Sequence, residues 1–475
     1  MTQEQLQPPS AAAAPPSKRF TKPEWAWMLY DFTTNAYATI ILTAVFPIYF
    51  NTFFTDPNVG LQWKGYAQSF IMLIAAISCP ILGAVGDLKG MKKKMWAGFA
   101  FSGAILTLAL PFGASWQYLL AFYVLSNIAY NLANLFYDSF LTDVTDHHRM
   151  HRVSTTAFAV GYFGGGTVML FVTAALMFTL PSSSLAVKLV FAITALWWIV
   201  FSLPMAFRVK QTHHNPAPAK EVAHSLWRQL GRTAASIAQN RGLLLFVLAY
   251  FFYIDGVGTV ISMATSYGST LHLNSTLMIV AILTTQVVAI PFSLLYGRLA
   301  TRFGAIRLIT VAIGTYVVIC LLGFYMGYSI NAAHGEAAQN AAIARGTVLF
   351  WILAGLVGTA QGGIQALSRS QFGRMVPRER SNEYFGFFNI FSRFAAVIGP
   401  GLMALMSYLT GGRSEWGILS LILLFIVGGG LLLGGRSQIH ASEVADTDDE
   451  PDGVLSDVPV DSQYTPYEGP SDQAA

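Results

Sequence analysis

The chain has 475 residues, of which 54% are hydrophobic and only 11% charged, with a formal net charge of +4. Soluble domains carry about 25% charged residues, so this composition excludes a soluble globular protein. Cys79 and Cys320, the two cysteines, both fall in apolar runs, which excludes a disulfide framework and zinc-finger spacing.

Residues 1–23 are rich in Pro, Ala and Gln without an apolar run, and read as a disordered cytoplasmic tail rather than a cleavable signal peptide. Six apolar stretches follow, at 24–53, 65–86, 95–113, 116–138, 153–180 and 186–207. Each matches a hydrocarbon core about 30 Å thick, at about 1.5 Å of rise per residue. The stretch 208–241 is polar and holds Pro216 and Pro218. Within it Leu226, Leu230, Ala234 and Ile237 recur at helical spacing beside Arg228 and Arg232, which predicts an amphipathic helix on the inner membrane surface. Six more spans are predicted at 242–267, 275–297, 304–327, 346–366, 383–409 and 415–435, and residues 436–475 read as an acidic, disordered cytoplasmic tail. The fold class is therefore an all-α polytopic membrane protein with twelve transmembrane helices.

Lys and Arg divide unevenly between the two sides. One set of loops and tails carries 23 of them, and the other carries Lys64, Lys188, Arg345 and Arg413. The positive-inside rule places both termini in the cytoplasm. Topology thus accounts for the basic residues, and no nucleic-acid partner is expected.

The turn after the second span reads Gly83-Ala-Val-Gly-Asp87-Leu-Lys-Gly90-Met-Lys92-Lys93, and the turn after the eighth reads Gly297-Arg-Leu-Ala-Thr301-Arg-Phe-Gly304. Two glycines seven residues apart, followed by cations, recur at the same place in each half. That implies a duplicated unit, with residues 24–207 and 242–435 as two pseudo-symmetric six-helix bundles. The first turn resembles the major facilitator signature G-x-x-x-D-x-x-G-x-[RK]-[RK] at every position, while the second lacks the acid at Thr301. The resemblance implies that this turn latches the two bundles on the cytoplasmic side, with Asp87 facing Asn382 and Glu383. A narrower resemblance, to the vacuole-effluxer branch of that superfamily, rests on Trp25-Ala-Trp-Met-Leu-Tyr30-Asp31-Phe, Asn35-Ala-Tyr37, Tyr253-Ile-Asp255-Gly256, Gln361-Gly-Gly-Ile-Gln365-Ala-Leu-Ser368-Arg369-Ser370, Tyr384-Phe385-Gly386 and Gly399-Pro400. Fungal members of that branch export amino acids from the vacuole. The resemblance implies a carrier in a bacterial inner membrane.

An ionisable side chain within a span needs water or a partner. Asp31, Asp255 and Arg393 are three such groups. The fold that the resemblance implies lines a central cavity with spans 1, 4, 7 and 10. The polar residues concentrate there: Asn35 and Tyr37; Tyr130, Asn131 and Asn134; Tyr253; Gln361 and Gln365. Asn127, Tyr130, Asn131, Asn134 and Asp138 form one stripe of span 4, which should face water or protein rather than lipid. These residues suit a small zwitterion: an acid for its ammonium, Arg393 for its carboxylate, amides and phenols for its orientation. One of the acids is alternatively a proton carrier, and each also has an ordinary reading as an interhelical bond. Gly161, Gly164, Gly165 and Gly166 mark close packing or a bending point in span 5. His147, His148 and His151 have no neighbouring cysteine, and a metal site is not expected.

No metalloprotease, P-loop or nucleophile-elbow signature occurs, so neither an enzyme nor a cofactor is expected. The reading is a secondary active carrier of a small organic solute, with an amino acid as first candidate by resemblance. Its expected partners are that solute, the lipid bilayer and a proton or other coupling ion, and the carrier is expected to be a monomer. A proton-coupled exporter of toxic compounds and a non-transporting sensor or assembly factor are the alternatives.

Overall fold

In the computed structural model the described residues are 19–443, apart from 56, 114, 181 and 217. They form an all-α protein. Twelve long helices carry the fold: α1 Lys22–Asn51, α2 Pro57–Gly86, α3 Met91–Phe112, α4 Trp116–Val144, α5 His147–Thr179, α6 Ser183–Arg208, α7 Arg241–Thr270, α8 Ser275–Phe303, α9 Ala305–Asn331, α10 Glu336–Gly373, α11 Ser381–Leu409 and α12 Ser414–Gly434. Long apolar segments adopt this form because a helix satisfies every backbone polar group within itself. Among the described residues, eleven helices are long and apolar enough to cross a membrane. In α11 the side chains of residues 392–397 lie outside the described ones, and the part beyond them, Ile398–Leu409, is apolar.

Local chemistry sets where the helices begin and bend. Thr21 and Glu24 form a capping box at the start of α1, the Glu24 carboxylate accepting from Thr21 N at 2.6 Å. The same carboxylate accepts from Arg149 (2.7 Å) and Thr145 (2.7 Å), which ties the start of α1 to that of α5. Residues 37–44 of α1 and 162–168 of α5 are wound as π-helix. Gly164 and Gly165 lie in the second of these, pressed on Phe32, Asn35 and the backbone of Ala36. The glycine cluster thus serves both close packing and a change of winding. Gly83 meets the backbone of Asn382, and Gly386 meets that of Cys79 and Pro80, so α2 and α11 cross with no side chain between them.

The connecting helix Ala219–Gln239 lies in the segment between α6 and α7. Leu230, Thr233 and Ile237 are its buried stripe, while Trp227, Arg228, Arg232 and Ala234 are exposed. That stripe packs on protein, and Thr233 and Gln229 both donate to the Glu383 carboxylate. After α12 a short helix, Arg436–Ala441, docks beside the start of α7, where Gln438 and Ser442 press on Gly242. The acidic run beyond residue 443 and the N-terminal tail up to residue 18 lie outside the described residues.

Candidate functional site

The polar chemistry gathers at the end of the molecule that carries Lys92, Arg149, Arg369, Arg374 and Arg378, called here the basic end. Gly90 turns the chain from α2 into α3 at φ 74°, a left-handed conformation that favours glycine. Gly304 plays the corresponding part before α9 at φ 83°. Asp87, buried just ahead of Gly90, caps the start of α11. Its Oδ1 accepts from Asn382 N (2.9 Å) and Asn382 Nδ2 (3.0 Å), and its Oδ2 from Glu383 N (2.9 Å). First-turn N–H groups lack partners within their own helix and carry the positive end of its dipole, so a carboxylate fits there. Burial pushes the Asp87 carboxyl up to about 7, against the opposing pull of Lys92 and the two backbone donors.

Lys92 is fully buried between Asp143 Oδ2 (2.7 Å) and Ser381 Oγ (2.9 Å), and so bonds to both halves of the chain. Lys93 is half-buried. In the second copy of the motif, Thr301 is exposed and bonds only back to Arg298 O in its own helix. Gly297 is where α8 passes Thr155 of α5.

A second cluster lies deeper, around a cation that sequence reasoning assigned to a loop. The helix α10 continues to Gly373, two turns past its apolar run, and carries Arg369 into the protein with 6% of its side chain exposed. Its Nη1 bonds Asp138 Oδ1 of α4 at 3.2 Å, its Nε bonds Ser154 Oγ of α5 at 3.1 Å, and its Nη2 lies 3.8 Å from Asp31 Oδ2 of α1. Trp27, Tyr137 and Phe158 place their rings 4.7, 5.3 and 4.6 Å from the guanidinium carbon. Asp31 Oδ1 accepts from Thr34 Oγ1 at 2.9 Å, whereas Oδ2 has no hydrogen-bond donor. The Asp31–Arg369 contact is thus an ion pair at long range rather than a hydrogen bond.

Asp255 of α7 is also buried. Thr259 Oγ1 lies 3.5 Å from its Oδ1, and its Oδ2 has no partner. Tyr253 hydroxyl pairs with Ser368 Oγ at 2.6 Å, and Gln361 Nε2 lies 3.4 Å from Gln286 Oε1. Gln365 is half-buried. Asn35 Nδ2 lies 3.3 Å from Asp31 O, and Asn134 holds a buried Oδ1 with no partner. Tyr37, Tyr130 and Asn131 already have neighbours. Tyr37 stacks on Tyr130 and bonds Ser126 at 2.7 Å, the Tyr130 hydroxyl reaches Thr34 O, and Asn131 bonds Asn127 on its own helix. The side chain of Arg393 lies outside the described ones. The structure therefore brings Asp31 together with Arg369 and Asp138, a pairing that no sequence spacing displays. The signal present was the continuation of the Gln361, Gln365, Arg369 periodicity, at four residues per step.

Hydrogen bonds between the two halves of the chain gather between residues 87–154 and 366–383. Besides those above, Ser154 donates to Ala366 O (2.8 Å), His151 Nδ1 pairs with Ser370 Oγ (2.8 Å), and Ser139 donates to Asn382. Toward the opposite end, Thr43 on α1 and Ser262 and Ser266 on α7 are exposed. The basic end is closed.

This helical arrangement is that of the major facilitator fold. The proton:xylose symporter XylE superposes with a TM-score of 0.64 at 12% identity, covering 87% of this chain and 95% of its own. The transporter FucP in its outward conformation superposes at 0.62 and 16% identity, covering 88% and 98%. The class is that of major facilitator-type transporters. The chain belongs to the family described as vacuole effluxer Atg22-like, whose model matches residues 21–438. An uncharacterized MFS-type transporter of Bacillus subtilis (strain 168), YxiO, is 42% identical over 422 residues, 86% of this chain and 94% of its own. Autophagy-related protein 22 of Pichia angusta is 22% identical over 428 residues, 79% and 74%. Family and fold are those of transporters rather than enzymes, and among the described residues no group of three or more His, Cys, Asp or Glu could hold a metal ion.

Proposed function

We propose that this protein is an ion- or proton-coupled carrier of a small zwitterionic solute, an amino acid first, and that the structure represents its outward-open state. In this reading α1–α6 and α7–α12 are two six-helix bundles and α11 is a twelfth span. The basic end faces the cytoplasm of a bacterial inner membrane, with both termini inside. The Asp87 cap on α11 and the Lys92 bridge to Ser381 hold the cytoplasmic gate shut, together with Gly83 and Gly90 on one side and the Gly297–Gly304 turn on the other.

One observation carries the reading. Asp31 lies in α1 and Asp255 in α7, the first helix of each half, and each keeps a buried carboxylate oxygen without a hydrogen-bond donor. A group of that kind is costly in a membrane protein and is retained where an ammonium, a proton or another cation visits it. Asn35, which bonds back to Asp31 O, and Asn134, Gln361 and Gln365 are the groups proposed to orient the solute. Arg393 remains a candidate for the solute carboxylate, since Arg369 is already engaged by two acids.

The test is flux in vesicles of purified protein, with a panel of radiolabelled amino acids, with and without a pH gradient. Asp255→Asn is expected to abolish uphill flux while exchange persists. Full uphill flux by that variant, with unchanged pH dependence, would remove Asp255 from coupling.

A further inference from the structure

The Arg369 pocket is built almost wholly by one half of the chain and filled by the other. Trp27 and Asp31 come from α1, Tyr137 and Asp138 from α4, and Phe158 from α5, while the guanidinium that fills the space comes from α10. Three rings within about 6 Å of a cation stabilise it through their electron-rich faces. Two carboxylates add full charge, and Ser154 accepts from two of the five N–H groups through its Oγ (3.1 Å) and its carbonyl (3.3 Å). Trp27 is fully buried, and its ring is anchored by Nε1–H donating to Tyr137 O at 2.8 Å. Trp27 and Asp31 are thus held without help from Arg369, the latter by Thr34 Oγ1 at 2.9 Å.

Separation of the halves at the basic end withdraws α10, and Arg369 with it. This step rests on the gated-carrier reading above. The pocket then holds two acids and three aromatic faces with no cation. We infer that the vacated pocket is a binding site for the cationic head of the transported solute, a guanidinium or an ammonium on an organic body, and that Arg369 is its tethered stand-in. The three rings favour an organic cation over a hydrated inorganic ion, because an inorganic ion would have to shed water that the rings do not replace. The two acids sit to receive a forked donor, which places guanidinium ahead of a simple ammonium. Arg369 and the solute compete for one site. Gate closure therefore expels the bound cation, and a bound cation holds the gate open.

The experiment uses Arg369→Ala, which vacates the pocket, in purified full-length protein. Thermal unfolding is followed with N-ethylguanidinium at low millimolar concentration and with N-ethylurea, its uncharged isostere. The expected result is a saturable rise in Tm with N-ethylguanidinium, at a half-saturating concentration at least about tenfold below any effect of the urea. Adding Asp31→Asn should abolish the rise. Equal or absent responses to the two compounds overturn the inference. Should Arg369→Ala fail to fold, Arg369→Gln takes its place. Protein that retains Arg369 supplies a further measurement, in which the labelling of Ala366→Cys should accelerate with N-ethylguanidinium and not with N-ethylurea. No acceleration there overturns the inference equally. Neither measurement requires transport, so failure of the amino-acid flux assay and failure of this one are separate results.

Discussion

Asp87→Asn preserves the size of the side chain but replaces one acceptor with a donor. In the closed structure both Asp87 oxygens accept, Oδ1 from the Asn382 pair and Oδ2 from Glu383 N. The amide can satisfy the Asn382 pair but sets its NH₂ against the Glu383 N–H, leaving buried donors facing each other. An unsatisfied buried donor costs about 1–3 kcal/mol. At a central value of about 2 kcal/mol, the balance moves toward the open gate about 30-fold. Ala366→Cys in a Cys79→Ala, Cys320→Ala background reads this out. Ala366 is fully buried at the closed gate, and its polar contacts are made by its backbone carbonyl, which accepts from Ser154 and Ser370. The rate of modification by a water-soluble maleimide should rise about 30-fold in Asp87→Asn. Equal rates in the two proteins would refute the idea that the Asp87 cap holds the gate.

The same site predicts a pH response. The carboxyl sits at about 7 in the closed structure and returns to about 3.9 once water reaches it. The closed state therefore keeps a proton that the open state gives up. Its advantage is complete below about 4 and is lost as pH rises through about 7. Between pH 6 and 8 the balance moves about tenfold toward open, which labelling normalised to an unfolded control should register, and Asp87→Asn should remove this dependence. The protonated acid is a better cap than the amide of that variant, because it retains a lone pair on Oδ2 for the Glu383 N–H.

Lys92→Met takes the cation from Asp143 Oδ2, while Oδ1 keeps Thr212 N (3.0 Å) and His213 N (2.9 Å) as donors, and should cost about 3 kcal/mol, seen as a lower Tm in detergent; adding Asp143→Leu should not rescue it, because those two N–H groups then lose their acceptor. Gly165→Ala sets a methyl against the backbone of α1, at Ala36 N and at Phe32 O (2.7 Å), and should destabilise by about 1–3 kcal/mol in the same assay. Tyr253→Phe removes the hydroxyl pair with Ser368 and should cost only about 0.5–1.5 kcal/mol, with solute exchange retained.

The order of the helices, the position of the Asp87 turn and the buried acids of α1 and α7 were legible in the chain itself. Hydropathy is a local property, and a span of about 20 apolar residues has few alternatives. The turns at Gly90 and Gly304 were legible for the same reason, since a turn is decided within a few residues, while their positive φ was supplied by the structure. Arg369 was not. Leu367 to Gly373 reads as a polar inner loop after an apolar stretch, and nothing nearby in sequence offsets a buried guanidinium. Its partners Asp31, Ser154 and Asp138 lie more than 200 residues away, and only folding brings them within reach. Likewise Tyr37 and Asn131 share the polar character of Asn35 and Asn134, yet the first pair bonds to near neighbours while Asn134 keeps a free oxygen. Apolar length and turn chemistry thus determined which segments are helices and where the chain reverses. Which charges meet, which stay unpaired and which end of the molecule is shut were decided by tertiary packing, because those energies depend on the distance between groups that the sequence leaves far apart.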